Sequence, residues 1–197
     1  MKNARNGNLL IWTASAGVVL GLSLVFSTWL FAGPPASIIN DRASVVLMRH
    51  GEAPGQGEPK GFKLDDCSTQ RNLSQKGRRD VRALGVLVRQ AFVVTKVVSS
   101  QWCRARETAE LLGVGEVELA PVFNDLARNK VRAKELLDGE HQLIAAWRGP
   151  GVLLIVTHSS NIAALANIDL AQGGMIAVDV RQSQLVAKSF TLGQREL

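Results

Sequence analysis

Three short polar clusters in this chain each follow an apolar run. Arg49-His50 comes after Ser44-Val45-Val46-Leu47-Met48, the stretch Ser99 to Arg104 after Lys96-Val97-Val98, and Thr157-His158 after Val152-Leu153-Leu154-Ile155-Val156. Two arginines and two histidines gathered at one place suit a phosphoryl group. Guanidinium forks match phosphate oxygens bidentately, and imidazole serves as nucleophile or proton carrier. In such a site one neutral imidazole attacks phosphorus while the cations offset charge on the equatorial oxygens. The departing oxygen needs a proton, since an alkoxide leaves poorly at neutral pH. Asp125, in Phe123-Asn124-Asp125 just after a further strand candidate, is placed to supply it.

The apolar runs that must position these residues read as strands buried on both faces, over 44–48, 96–99, 117–122 and 152–156. Two closing strands are expected over 175–180 and 185–191. Between the strands the sequence predicts helices over about 74–92, capped by Ser74, over 104–112, stopped by Gly113, over 130–147 and over 160–166. Helices alternating with apolar strands imply a single three-layer α/β domain with a mostly parallel central sheet and helices on both faces. Ligands bind such sheets at the carboxyl ends of the strands, so the three polar clusters are expected to converge. Residues 53–72 hold three Gly, two Pro and no periodicity. They predict a long surface loop of the kind that carries function in a small domain.

Length and composition bound the rest. The chain has 197 residues, 46% of them hydrophobic and 20% charged, which suits one compact domain and excludes a disordered, collagen-like or coiled-coil protein. The net charge of +6 raises nucleic acid as a partner. However, Arg78, Arg79 and Arg82 share a helix with Val81, Leu84, Val88 and Ala91 at helical spacing, which makes them its solvated face, and no nucleic-acid partner is expected. Hydrophobicity is concentrated in residues 9–32, a run of 24 positions without a charge. As a helix it would reach about 36 Å, enough to cross a hydrocarbon core of about 30 Å. Lys2 and Arg5 precede it with no acidic residue among the first eight, which orients the N-terminus to the cytoplasm. The expected organisation is a cytoplasmic segment 1–8, a transmembrane anchor 9–32, a linker 33–42 stiffened by Gly33-Pro34-Pro35, and a catalytic domain 43–197 outside the cytoplasmic membrane. A cleaved signal peptide is the competing reading, although Leu30-Phe31-Ala32-Gly33 is a poor cleavage match.

The four motifs, in their order, resemble those of the histidine phosphatase superfamily, also called the phosphoglycerate mutase-like family. Leu47-Met48-Arg49-His50-Gly51-Glu52 is similar to the motif whose histidine is phosphorylated and whose arginine binds the phosphoryl group. Asn72-Leu73-Ser74-Gln75-Lys76-Gly77 resembles the Leu-Ser-x-x-Gly that follows the substrate loop. Ser99-Ser100-Gln101-Trp102-Cys103-Arg104-Ala105-Arg106-Glu107-Thr108-Ala109 is similar to Ser-x-x-x-Arg-Ala-x-x-Thr-Ala, with the second phosphate-binding arginine at Arg104. Ile155-Val156-Thr157-His158 resembles the motif of the second histidine. The resemblance covers about residues 43–180 and implies a phosphoglycerate mutase-like fold. Its catalytic residues would be His50, Asp125 and His158, and its phosphate-binding residues Arg49, Arg104 and His158. Three departures stand out, one being that the loop from Ala53 to Gln70 lacks the pattern of the mutases, so mutase activity is not implied. Asp125 sits where the family often has Glu, and Ser159-Ser160 replaces a glycine pair after His158, where it would crowd or hydrogen-bond the phosphate. A membrane anchor ahead of this domain also resembles, by architecture, the periplasmic lipopolysaccharide core heptose phosphate phosphatases.

The expected activity is metal-independent phosphomonoester hydrolysis through a phosphohistidine on His50, with no cofactor. No carboxylate set suited to magnesium and no zinc-spaced His or Cys set is visible. The substrate would be a small phosphate such as a sugar phosphate, a lipid headgroup or a nucleotide. Two alternatives stand beside it: a tethered module that binds a phosphorylated envelope component with little or no turnover, and a phosphoglycerate mutase-like enzyme. Glu52 is left without a role, and Trp102 is read as packing against the sheet. Cys67 and Cys103 would face an oxidising compartment. Cys103 precedes Arg104 and Cys67 lies in the loop expected over the same pocket, so a disulfide would pin that loop, with two free thiols as the alternative. The topology has its own test. A reporter active only outside the cytoplasm, fused after Leu197, is expected to give signal, and silence would overturn the extracytoplasmic placement.

Overall fold

The computed structural model describes residues 44–181 and 184–189. The expected span over 9–32 and linker over 33–42 lie outside them. Among the described residues no helix is long and apolar enough to cross a membrane.

The chain runs β1 (Ser44–Arg49), α1 (Gln75–Ala91), β2 (Val94–Ser99), α2 (Cys103–Leu112), β3 (Val117–Leu119), α3 (Ala133–Ala146), β4 (Val152–Thr157), α4 (Ser159–Ala166), β5 (Met175–Arg181) and β6 (Gln184–Ser189). The sheet order is β3-β2-β4-β1-β5-β6. The first four strands in that order are mutually parallel, while β5 pairs antiparallel with β1 and β6 antiparallel with β5. This is the expected mostly parallel sheet, with an antiparallel pair added at one edge. Two expected elements shorten. The strand over 117–122 ends at Leu119, because Pro121 at the start of a 3₁₀ turn over Pro121–Phe123 has no N–H for a ladder. The helix over 130–147 opens as a 3₁₀ turn, Lys130–Arg132, before α3 begins.

Alternation along β1 sends its side chains to two separate cores. Val45 and Leu47 join Leu153, Ile155 and Ile176 against Phe123, Ile144 and Ile162, beneath α3 and α4. Val46 and Met48 join Leu154, Val156 and Val97 against Val81, Val88, Ala105, Ala109 and Leu112, beneath α1 and α2. All six residues of β4 are buried, as expected of a central parallel strand covered on both faces. Each fully buried Ile or Leu contributes about 1.5–3 kcal/mol relative to exposure. The layers fit closely where glycine allows it. A Cβ on Gly85 would lie 2.1 Å from the Leu112 carbonyl oxygen, so α1 and α2 meet backbone to side-chain-free backbone.

Strand register does the positioning. Arg49 pairs with Thr157 and Ser99 with Val156, so β1, β2 and β4 end level. Beyond the strands, His50 N–H donates to the Thr157 carbonyl and Ser100 N–H to the Val156 carbonyl, each at 3.0 Å. The loop expected over 53–72 is present and folds back over these ends. It contains one 3₁₀ turn, Cys67–Thr69, capped by Asp66. Gln70 ties it internally by donating to the carbonyls of Lys63 and Leu64. Cys67 and Cys103 are joined by a disulfide, their Cα atoms 5.6 Å apart and 36 positions apart in sequence.

A crosslink closing a loop of this size is expected to stabilise the fold by about 3–4 kcal/mol in the chain-entropy model. The Cys67→Ser/Cys103→Ser double variant should therefore lose about that much in urea unfolding of the oxidised protein, and an unchanged midpoint would contradict it.

Candidate active site

The level strand ends bring His50, Ser100 and His158 together, and α2 delivers Arg104 between them. Arg104 is 2% exposed and is among the largest side chains buried here. Its guanidinium is spent in four directions. Nε donates to His50 Nε2 at 3.1 Å, and Nη1 to Glu58 Oε1 at 2.6 Å. Nη2 lies 3.3 Å from His158 Nδ1 and 3.5 Å from Asp125 Oδ2. Its carbon sits 4.8 Å over the ring of Trp102.

These contacts determine both tautomers, because a guanidinium has only donors. His50 Nε2 must accept, so its proton is on Nδ1, which donates to the Gly51 carbonyl at 2.8 Å. His158 Nδ1 must accept, so its proton is on Nε2, which donates to Ser100 Oγ at 2.9 Å. Ser100 Oγ in turn donates to Asn124 Oδ1 at 3.1 Å. Burial, followed by the Arg104 charge, lowers the His50 pKa to about 3, opposed by the hydrogen bond to the Gly51 carbonyl. The same two causes hold His158 well below the ordinary imidazole range. Burial also lowers the Arg104 pKa, opposed by the carboxylates of Glu58 and Asp125. The site thus keeps two neutral imidazoles beside a buried cation, and the His50 Nε2 lone pair points at that cation. This arrangement can offer a nitrogen nucleophile to an anion held by arginine.

Arg49 takes a different course. Its Nη1 donates to the Leu170 carbonyl at 2.6 Å, while Nε is buried without a hydrogen-bond partner. A buried, unsatisfied donor on a cation is costly and suits a place where an anion completes the shell. Asp125 stands at the site's rim, its side chain 15% exposed. Ser160 Oγ donates to its Oδ1 at 2.7 Å, so the Ser160 hydroxyl expected near the phosphate instead serves the carboxylate. Behind it, Asn161 holds the segment around Asp125, donating to the Asn124 carbonyl at 3.0 Å and accepting from Leu126 N–H at 3.4 Å. Asn161 also donates to the buried Glu140, whose carboxyl is pushed up to about 8 by burial and is therefore protonated at neutral pH.

The structure adds residues that the sequence did not single out. Glu58 and Arg71, both from the 53–72 loop, enter the site. Arg71 donates through Nε to the Gly57 carbonyl and through Nη1 to that of Ala53. Nothing in an aperiodic loop marks either residue in advance. Glu52, left without a role above, accepts from the hydroxyl of Ser74, which caps α1 by accepting from Gly77 N–H. Gly77 is needed there, since a Cβ would fall 2.3 Å from the Glu52 carbonyl oxygen. Arg78, read as part of a solvated face, instead pairs with Glu107 of α2 at 2.5 Å. Trp102 packs against Phe62 of the loop, ring centroids 4.9 Å apart, as well as beneath Arg104. Among the described residues no group of three or more His, Cys, Asp or Glu could hold a metal ion.

Residues 45–129 match the family model described as the histidine phosphatase superfamily, branch 1. No curated protein sequence matches the chain. Among solved structures, one similar to this chain is an Escherichia coli protein provisionally assigned as an alpha-ribazole-5′-P phosphatase, 19% identical, covering 75% of this chain and 96% of its own with a TM-score of 0.58. A mycobacterial glucosyl-3-phosphoglycerate phosphatase is 16% identical, covers 74% and 96%, and gives a TM-score of 0.53. A mutant phosphoserine phosphatase from Entamoeba histolytica, in complex with phosphoserine, is 16% identical over 75% and 96% with a TM-score of 0.51. At these identities the likeness is one of fold. Over residues 45–129 the chain is thus similar to the histidine phosphatase superfamily, and over the described domain it shares the fold of these phosphatases.

Proposed function

We propose that this chain hydrolyses small phosphomonoesters through a phosphohistidine on His50, without a metal ion, from a catalytic domain tethered outside the cytoplasmic membrane by residues 9–32. The observation that carries the chemistry is the shared guanidinium: Arg104 contacts both His50 Nε2 and His158 Nδ1. In this reading the phosphoryl group lies against Arg104, Arg49 and His158. The His50 Nε2 lone pair forms the P–N bond as the P–O bond to the leaving group breaks, and Asp125 passes a proton to the departing oxygen. In the second half, water attacks phosphorus, its proton goes to Asp125, the P–N bond breaks and inorganic phosphate is released. His50 regains its starting tautomer because Nδ1–H stays committed to the Gly51 carbonyl. The arginines supply the positive charge that a metal would otherwise bring. Phosphorylated ligands named for similar folds, phosphoserine among them, suit a small phosphorylated substrate.

A second reading draws on Glu58. With that carboxylate on Arg104, and Asp125 also paired to it, the site fits a module that binds a phosphorylated envelope component without turnover. Trapping decides between the two, since a phosphohistidine is labile to acid and stable to base.

His50→Ala is expected to abolish turnover of an aryl phosphate in EDTA, and unchanged turnover would sink the assignment. The nucleophile also requires a neutral ring. Because the His50 pKa lies near 3, that ring should stay uncharged throughout pH 5–8, and because burial lowers the His158 pKa well below its usual value, His158 should be uncharged at neutral pH. Nitrogen-15 chemical shifts should show His50 protonated at Nδ1 across that range and His158 at Nε2 at neutral pH. Titration of either near pH 6.5 would refute the assignment.

A further inference from the structure

The position that a substrate phosphate needs is taken by a residue of the protein. Glu58 presents Oε1 to Arg104 Nη1 at 2.6 Å, and its Oε2 accepts from the Arg71 backbone N–H at 2.8 Å. Both side chains of the Glu58–Arg104 pair are 2% exposed. Two oxygens of one anion thus meet two converging donors next to the His50 Nε2 lone pair, which is what a phosphoryl group would do there.

We infer that Glu58 is an internal competitor for the phosphoryl subsite, displaced when substrate enters and restored when inorganic phosphate leaves. This rests on the reading of the Arg104 pocket as a phosphoryl site. The local chain is built to allow the exchange. Glu58 lies on a short tongue in which Gly55, Gly57 and Gly61 all have positive φ, at 89°, 70° and 78°, a region that costs glycine little. The tongue's base is fixed, by Arg71 donating to the Ala53 carbonyl on one side and by the Cys67–Cys103 disulfide on the other. A tongue fixed at both ends keeps the carboxylate at high local concentration beside Arg104. The exchange also avoids leaving Arg104 Nη1, the donor that faces Glu58, without an anion, since Asp125 meets only Nη2. One anion replaces another.

The consequence is quantitative. When a competent state is only fractionally populated, apparent affinity falls by that fraction, so a tongue closed in nine-tenths of the molecules weakens phosphate binding about tenfold. The same closure speeds product departure from a pocket of arginines that would otherwise hold inorganic phosphate tightly.

The test is calorimetric binding of inorganic phosphate to the full chain at pH 7.5. Glu58→Gln keeps an oxygen for the Arg71 N–H and removes the charge that competes. It is expected to tighten phosphate binding about tenfold and to strengthen product inhibition by the same factor. Glu118→Gln, which removes an equal charge from an exposed pair with Lys96, should leave binding unchanged. Phosphate binding that is equal or weaker in Glu58→Gln than in the wild type would overturn the competitor while leaving the phosphoryl site standing. Equal tightening in Glu118→Gln would also overturn it, as a general charge effect. Failure of both wild type and Glu58→Gln to bind phosphate would overturn the competitor together with the site reading beneath it.

Discussion

A guanidinium sealed inside the domain is the constraint around which everything near it is arranged. Removing an ion from water costs several kcal/mol after relaxation, and only well-placed partners repay it. Arg104 therefore has carboxylates from two different loops, an aromatic face and two imidazole nitrogens about it. Each partner is changed in turn. The imidazoles are held neutral and in opposite tautomers, and their outer nitrogens are passed on to Gly51 and Ser100. Even the backbone of Arg104 is engaged, its carbonyl accepting from Thr108 Oγ1, which accepts from Gly51 N–H. His50, the buried cation and the turn after β1 are one connected unit.

That unit can exist because the sheet supplies rigid, level ends. Three parallel strands stop together, and the backbone bonds just beyond them continue the ladder for one more residue. A layer of helices on each face dries the strands, and the polar groups at the edge inherit that dryness. Burial is the largest cause of the lowered pKa of both histidines. The core thus acts on chemistry through solvation as well as through shape.

How much of this was visible in the amino-acid order depends on how local the cause is. The strands over 44–49 and 152–157 announce themselves by unbroken apolar runs, and Ser74 and Gly113 mark helix ends through backbone groups within a few residues. His50 and His158 were legible because each follows such a run, and Arg104 because the segment Ser99–Ala109 resembles a family motif. Glu58 was not, since its meaning comes from a partner 46 positions away across an aperiodic loop. Arg78 was misread for a related reason. Its helical position suggests solvent, but the approach of α1 to α2 at Gly85 brings Glu107 within reach. Asn161 and Glu140 needed the topology, because only the packing of α3 beside α4 brings a buried carboxyl to an amide that splints the Asp125 segment.

The level strand ends restrict how this architecture can diversify. Side chains alternate along a strand, so inserting or deleting one residue within β1, β2 or β4 would turn every following side chain to the opposite face. The residue that follows the altered strand, His50, Ser100 or His158, would leave the pocket, and that strand's apolar side chains would exchange faces between the two cores. The connections carry no such penalty. The stretches 53–72, 124–132 and 167–174 border the site without setting strand register, so length changes in them cost mainly the slow logarithmic term of loop closure. Length change in this architecture is therefore channelled into the segments that border the pocket. The loops around the pocket can change while the buried cluster of Arg104, His50 and His158 stays fixed.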